Sequence, residues 1–168
     1  MTTSRESFYL KPDWRLLFSH PAHFFSLGFG SGLMPKGPGT AGTLVAFPLY
    51  WLLAPLMNDY LFLLFLVLAF IVGISICDKT SRALGVEDHG GIVWDEIVAF
   101  MLVLFFTPEG IYWQILAFVL FRFFDIVKPQ PIKYFDQNMH GGLGVMFDDL
   151  LAAGYALFCL AIDRKSVV

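Results

Sequence analysis

The sequence predicts an all-α, membrane-embedded, compact bundle of about five to six helices, and three observations carry that prediction. Hydrophobic residues make up 57% of the 168, charged residues only 15%, and the mean hydropathy is +0.68. Soluble domains average about 25% charged residues, so this composition is too poor in charge for an ordinary water-facing surface. Residues 60–77 (YLFLLFLVLAFIVGISIC) are apolar on every helical face. At about 1.5 Å per residue such a run crosses a hydrocarbon layer about 30 Å thick. Most remaining charges fall between apolar runs, in loops gathered on one side.

Length allows one domain, residues 1–168, with residues 1–26 as an N-terminal interfacial segment. Within that segment residues 13–25 (DWRLLFSHPAHFF) are amphipathic, limited in length by Pro21. The first span is expected over about residues 43–57, kinked at Pro48 and Pro55. Asn58 and Asp59 then turn the chain into residues 60–77. The uncharged runs 97–108, 110–121 and 150–162 are shorter, so they half-span, extend through polar ends, or lie buried in protein. Thr107-Pro108-Glu109-Gly110 reads as a helix start, Thr as N-cap and Pro at the first helical position. This splits the stretch into two helices; the rival is one kinked helix over 97–124. Charge favours the split. With five helices, Arg5, Lys11, Arg15, Lys36, Lys79, Arg82, Arg122, Lys128 and Lys133 share one side, and only Arg164 and Lys165 fall opposite. By the positive-inside pattern the crowded side is cytoplasmic.

The composition excludes a disordered chain, a disulfide scaffold and a nucleic-acid binder with a basic face. The net charge of −3 names no partner. Cys77 and Cys159 lie in apolar runs and read as buried small hydrophobes. The N-terminus shows no apolar stretch followed by a small-residue cleavage site, so insertion is expected to rely on internal segments. His20, His23, Met34 and the many Phe residues read as interface or core packing.

Three polar islands lie on the predicted cytoplasmic side. Residues 28–43 (GFGSGLMPKGPGTAGT) are glycine-rich and lead into a helix, which suits either anion binding by backbone amides or a flexible re-entrant connection. The Walker A spacing is present there without its lysine. In the second island Asp88-His89-Gly90-Gly91 leads to Asp95-Glu96. In the third, Arg122, Asp125 and Lys128 precede His140-Gly141-Gly142 and Asp148-Asp149. His89 and His140 read as turn residues, because no His/Cys cluster has zinc spacing. Each acid pair could cap a helix, a contribution of about 0.3–1 kcal/mol. Capping does not readily explain two adjacent acids, twice, inside apolar sequence. Carboxylates near lipid call for a compensating cation or water, and hard oxygen donors suit Mg²⁺. Arg122 and Lys128 either form surface pairs with Asp125 or hold a phosphate, Arg through its fork and Lys as a point charge.

The stretches GFGSGLMPKGPGTAGTL (28–44), IVWDEIV (92–98), FRFFDIVKPQPI (121–132) and GGLGVMFDDLLAAGYA (141–156) together resemble the phosphatidylglycerophosphatase A family, in the family's order and covering most of the chain from Leu27 onward. The resemblance implies a compact helical bundle in the bacterial inner membrane. It also implies Mg²⁺-dependent removal of the terminal phosphate of phosphatidylglycerophosphate, giving phosphatidylglycerol. It carries the acidic motif onto Asp95 and Glu96, the Arg/Asp/Lys motif onto Arg122, Asp125 and Lys128, and the last motif onto Asp148 and Asp149. The Gly-rich motif falls on Pro38, Gly39, Thr40, Gly42 and Thr43.

On that basis Asp95, Glu96, Asp148 and Asp149 are the expected Mg²⁺ ligands, and Asp95, Glu96, Asp125 and Asp149 the expected catalytic set. Arg122, Lys128, Thr40, Gly42 and Thr43 are expected to bind the substrate phosphate. Water and an aspartate both stay open as nucleophile. The expected partners are the phospholipid substrate and the bilayer, with no nucleic acid and no obligatory protein. Two rival readings are a CDP-alcohol transferase, whose DGxxAR…G…DxxxD motif the chain lacks, and a small cation transporter or channel with a carboxylate-lined pathway.

Overall fold

The computed structural model describes residues 11–86 and 89–166, and every regular element among them is helical. Arg5 and Asp88, used in the readings above, lie outside this set, as do the side chains of Arg164 and Lys165. Two short helices, α1 (Trp14–Ser19) and α2 (Pro21–Ser26), open the chain. They break at Pro21, and Asp13 and His20 cap them by accepting from the Leu16 and Ala22 amides. A 3₁₀ segment, Gly28–Leu33, leads into α3 (Pro38–Leu53), and a second, Ala54–Leu56, follows it. Then come α4 (Asp59–Leu84), α5 (Trp94–Phe106), α6 (Ile111–Val127), the short α7 (Ile132–Asn138) and α8 (Gly141–Ser166). The five long helices match the expected bundle. The count exceeds it because prolines cut off α1, α2 and α7 as separate short pieces.

Three helical boundaries differ from expectation. First, α3 starts at Pro38, with Gly37 in the left-handed region as its N-cap, rather than near Thr43. Second, the chain does break after Phe106, but Thr107 closes α5 instead of opening α6. Its hydroxyl donates to the Val103 carbonyl at 2.7 Å, and Gly110, at φ 117°, is the N-cap of α6. Third, α8 opens at Gly141, so Asp148 and Asp149 sit two turns inside it. The glycines there serve close packing. A Cβ at Gly142 would overlap the Ile74 carbonyl of α4, and one at Gly144 would come within 2.5 Å of the Met139 carbonyl.

At the centre is α5, packed against α3, α4 and α8, while α8 also contacts α6 and α7. Its Ile97, Phe100 and Val103 have no exposed surface. The outer faces are the reverse of a soluble protein's: Val67, Leu68, Ile71 and Val72 of α4 and Ile115 and Val119 of α6 are all more than half exposed. Apolar surface on that scale is stable against lipid tails rather than water. Three segments are long and apolar enough to cross a membrane, Pro38–Leu56, Asp59–Leu84 and Gly141–Ile162. This is a membrane protein. The up-and-down path brings the starts of α3, α5 and α8 and the ends of α4 and α6 to one end of the bundle.

Candidate functional site

The first turn of α5 is fixed from both sides before its acids are placed. The Val93 amide donates to the Ser26 carbonyl at 2.9 Å, and the Trp94 indole N–H donates to the Ala69 carbonyl of α4 at 3.1 Å. Asp95 and Glu96 follow in that first turn, where no side chain caps the helix. Capping therefore remains open for this pair. It does not account for Asp148 and Asp149, because the dipole's influence fades within the first turn and they lie beyond it.

Asp95, Glu96 and Asp149 meet. Each offers a carboxylate oxygen, and these atoms all lie within 4.8 Å of one another. Asp95 and Asp149 are buried, and the Glu96 side chain is only 12% exposed. Asp95 Oδ1, Glu96 Oε2 and Asp149 Oδ2 have no hydrogen-bond partner among the described residues. Buried acceptors without donors are strongly disfavoured, and three carboxylates together add mutual repulsion. A divalent cation removes both penalties at once, and an all-oxygen donor set suits Mg²⁺. The trio fits such an ion.

Beside the trio, Arg122 of α6 is held by Asp125, with Nη1 2.5 Å from Oδ2. The same Nη1 lies 3.6 Å from Glu96 Oε1 and 3.5 Å from the Thr43 hydroxyl of α3. Its Nε is buried without a partner among the described residues. Thr43 in turn donates to the Gly39 carbonyl at 2.9 Å. Gly39 is the glycine that touches the site: a Cβ there would overlap Glu96 Oε1 and lie 3.2 Å from the Arg122 guanidinium. Gly42 instead packs against Val93, and Gly28 against Val93 and Ile97, so those two glycines let α5 approach closely. Thr40 stands by the Gly37 turn at the start of α3.

Two expected site residues turn elsewhere. Asp148 and Lys128 pair with each other, and Lys128 Nζ also binds Asp136 of α7. These two carboxylates hold the lysine's pKa above its ordinary value, against the opposing effect of burial. Asp136 was not singled out from sequence. It meets Lys128 only because the chain folds back through Pro129 and Pro131, and no spacing rule signals that. Asp125, besides gripping Arg122, is a close neighbour of Asp149.

Known proteins resemble this chain over most of its length. The family model described as phosphatidylglycerophosphatase A matches residues 24–163. A protein of Haemophilus influenzae named phosphatidylglycerophosphatase A is 48% identical over 147 residues, 87% of this chain and 90% of its own length. One of the same name from Escherichia coli is 43% identical over 139 residues, covering 82% and 80%. A third, from Bacteroides thetaiotaomicron, is 39% identical over 145 residues (82% and 89%) and is named provisionally as a phosphatidylinositol-3-phosphatase. No solved structure matches. With the match running from α2 through α8 and containing every acid of the trio, this chain belongs to the phosphatidylglycerophosphatase A family, a family of phosphatases.

Proposed function

We propose that this enzyme hydrolyses the terminal phosphate monoester of phosphatidylglycerophosphate to phosphatidylglycerol, with Mg²⁺ held by Asp95, Glu96 and Asp149. The observation that carries the reading is the trio itself: three buried carboxylates with unpartnered oxygens, Glu96 among them 3.6 Å from an arginine with an unpartnered N–H. Bound there, Mg²⁺ would neutralise phosphate charge and make a coordinated water more acidic.

The chain's own residues do the rest. Arg122, fixed by Asp125, keeps Nε free to donate to a phosphoryl oxygen, and its planar fork suits that partner. Gly39 leaves room beside the guanidinium for the Glu96 carboxylate, which a side chain at that position would displace. Asp125 is a positioning residue for Arg122 on this reading, and Lys128 ties α6, α7 and α8 together at the rim. The diacylglycerol portion stays in the bilayer while the head group reaches the polar end of the bundle. The charge asymmetry of the loops supports a cytoplasmic orientation for that end and, with it, residence in the bacterial inner membrane. A cation pathway would need carboxylates clear of fixed positive charge, and Arg122, 3.6 Å from Glu96, would repel a passing cation.

The test is phosphate release by purified protein from phosphatidylglycerophosphate and from phosphatidylinositol 3-phosphate, each with Mg²⁺ and with EDTA. Release from the first alone, abolished by EDTA and restored by Mg²⁺, is expected. Undiminished release in EDTA would refute the metal assignment, and preference for the second substrate would refute the head-group assignment.

A further inference from the structure

Asp95 and Glu96 are consecutive, so their side chains leave α5 about 100° apart. Glu96 turns towards α3 and α6, where Gly39 and Arg122 are. Asp95 turns towards α4 and α8, and there it forms the polar end of a different feature. A cavity of about 380 Å³ runs between α4, α5 and α8. Its walls include Leu63, Val67 and Phe70 of α4, Ala99 and Leu102 of α5, and Leu150 of α8. Seven residues separate Asp95 from Leu102 and Leu63 from Phe70, so the cavity extends about 10 Å along the helices. Its volume lies within the range of about 300–1,000 Å³ typical of ligand pockets. Asp95 is the one ionisable residue lining it among the described residues, and Val67 at its edge is 54% exposed on the lipid-facing surface.

We infer, on the reading of the trio as the phosphatase centre, that this cavity is the acyl-chain site of the lipid substrate. Two observations select that occupant. The cavity opens among the residues of the apolar belt, where a chain enters sideways from the bilayer without crossing water. Its other end is a carboxylate of the trio, so a tail lodged there carries its own head group to the centre. A hydrocarbon chain matches walls that offer almost nothing polar. α5 therefore sorts an amphipathic substrate, tail on the Asp95 side and phosphate on the Glu96 side.

The experiment compares a long-chain (dioleoyl) and a short-chain (dihexanoyl) phosphatidylglycerophosphate in detergent micelles with Mg²⁺. Ala99→Leu narrows the cavity, and Val67→Trp crowds its mouth from a lipid-facing position where extra bulk does not disturb the core. Ala99→Leu is expected to raise KM for the long-chain substrate about tenfold with kcat within twofold, and Val67→Trp about threefold, while kcat/KM for the short-chain substrate stays within twofold. Equal effects on both substrates, or none on either, would overturn the inference and leave the cavity to a bystander lipid. If Ala99→Leu fails to fold, Val67→Trp decides alone. Wild-type protein releasing phosphate from neither substrate would instead sink the underlying assignment of function.

Discussion

Asp148 and Asp149 are chemically identical neighbours on α8, and the structure sends them to opposite electrostatic fates. Asp148 faces Lys128, which also binds Asp136, so its charge is answered within the protein. Asp149 faces Asp95 and Glu96 and has a buried oxygen without a partner. The difference teaches how to separate acids that hold a fold from acids that await a ligand. A buried charge with a countercharge in contact is structural by default, and one surrounded by its own sign is not.

The sharpest way to break the comparison is Asp149→Asn. It is expected to lower turnover by about a thousandfold or more. In EDTA it should raise the melting temperature by about 2–4 °C, because a buried repulsion is removed. A variant that loses activity only by unfolding would erase the distinction. Mg²⁺ titration follows. Saturating ion, at about 100 times its dissociation constant, is expected to stabilise the wild type by about 2.7 kcal/mol, and thermal denaturation of Asp149→Asn should show little of that gain.

Asp148→Asn tests the other side. With Lys128 left to Asp136 alone, stability should fall by about 1–3 kcal/mol in denaturant titration, and turnover by only about tenfold. Loss of activity equal to that of Asp149→Asn at unchanged stability would reverse the two assignments. Gly39→Ala should cost about tenfold in turnover with little change in melting temperature, since its Cβ displaces the Glu96 carboxylate and not the core.

A buried polar contact away from both clusters supplies the smallest effect. His23 Nδ1 meets the Thr80 hydroxyl at 2.8 Å, joining α2 to α4. Burial first, then the positive charges of His20 and Lys79, hold its pKa below the ordinary 6.5. The folded form thus favours neutral His23, and its contribution is complete above about pH 6.5 and fades as pH falls below it. Protection of the α2 amides, corrected for the intrinsic exchange rate, should fall between pH 7 and 5, and His23→Gln should flatten that dependence.

Much of this was legible before any coordinates. The 60–77 run announced α4 because no face of it is polar, and the break after Phe106 showed itself through Pro108 and Gly110. The start of α8 did not. Gly141, Gly142 and Gly144 look like a turn in isolation, and only the backbone of α4 and of Met139 pressing on them reveals a helix. In the site, adjacency and charge were enough to single out both acid pairs. The sequence could not show which member of the second pair meets the first, because that depends on where a reversal through Pro129 and Pro131 delivers Lys128. The Gly-rich stretch likewise mixed two roles, with Gly39 beside Arg122 and Gly42 seating α5.

The tether on Trp94 has a consequence for what this helix tolerates. Its indole bond to Ala69 sets the rotational phase of α5 one residue ahead of the acids. Inserting a single alanine between Trp94 and Asp95 would leave hydropathy, charge and length almost untouched. It would nevertheless rotate the next turn by about 100°, swinging the first acid to the arginine side and the second away from both. Insertion scanning should therefore find this one step of the backbone far less forgiving than any single side chain near it.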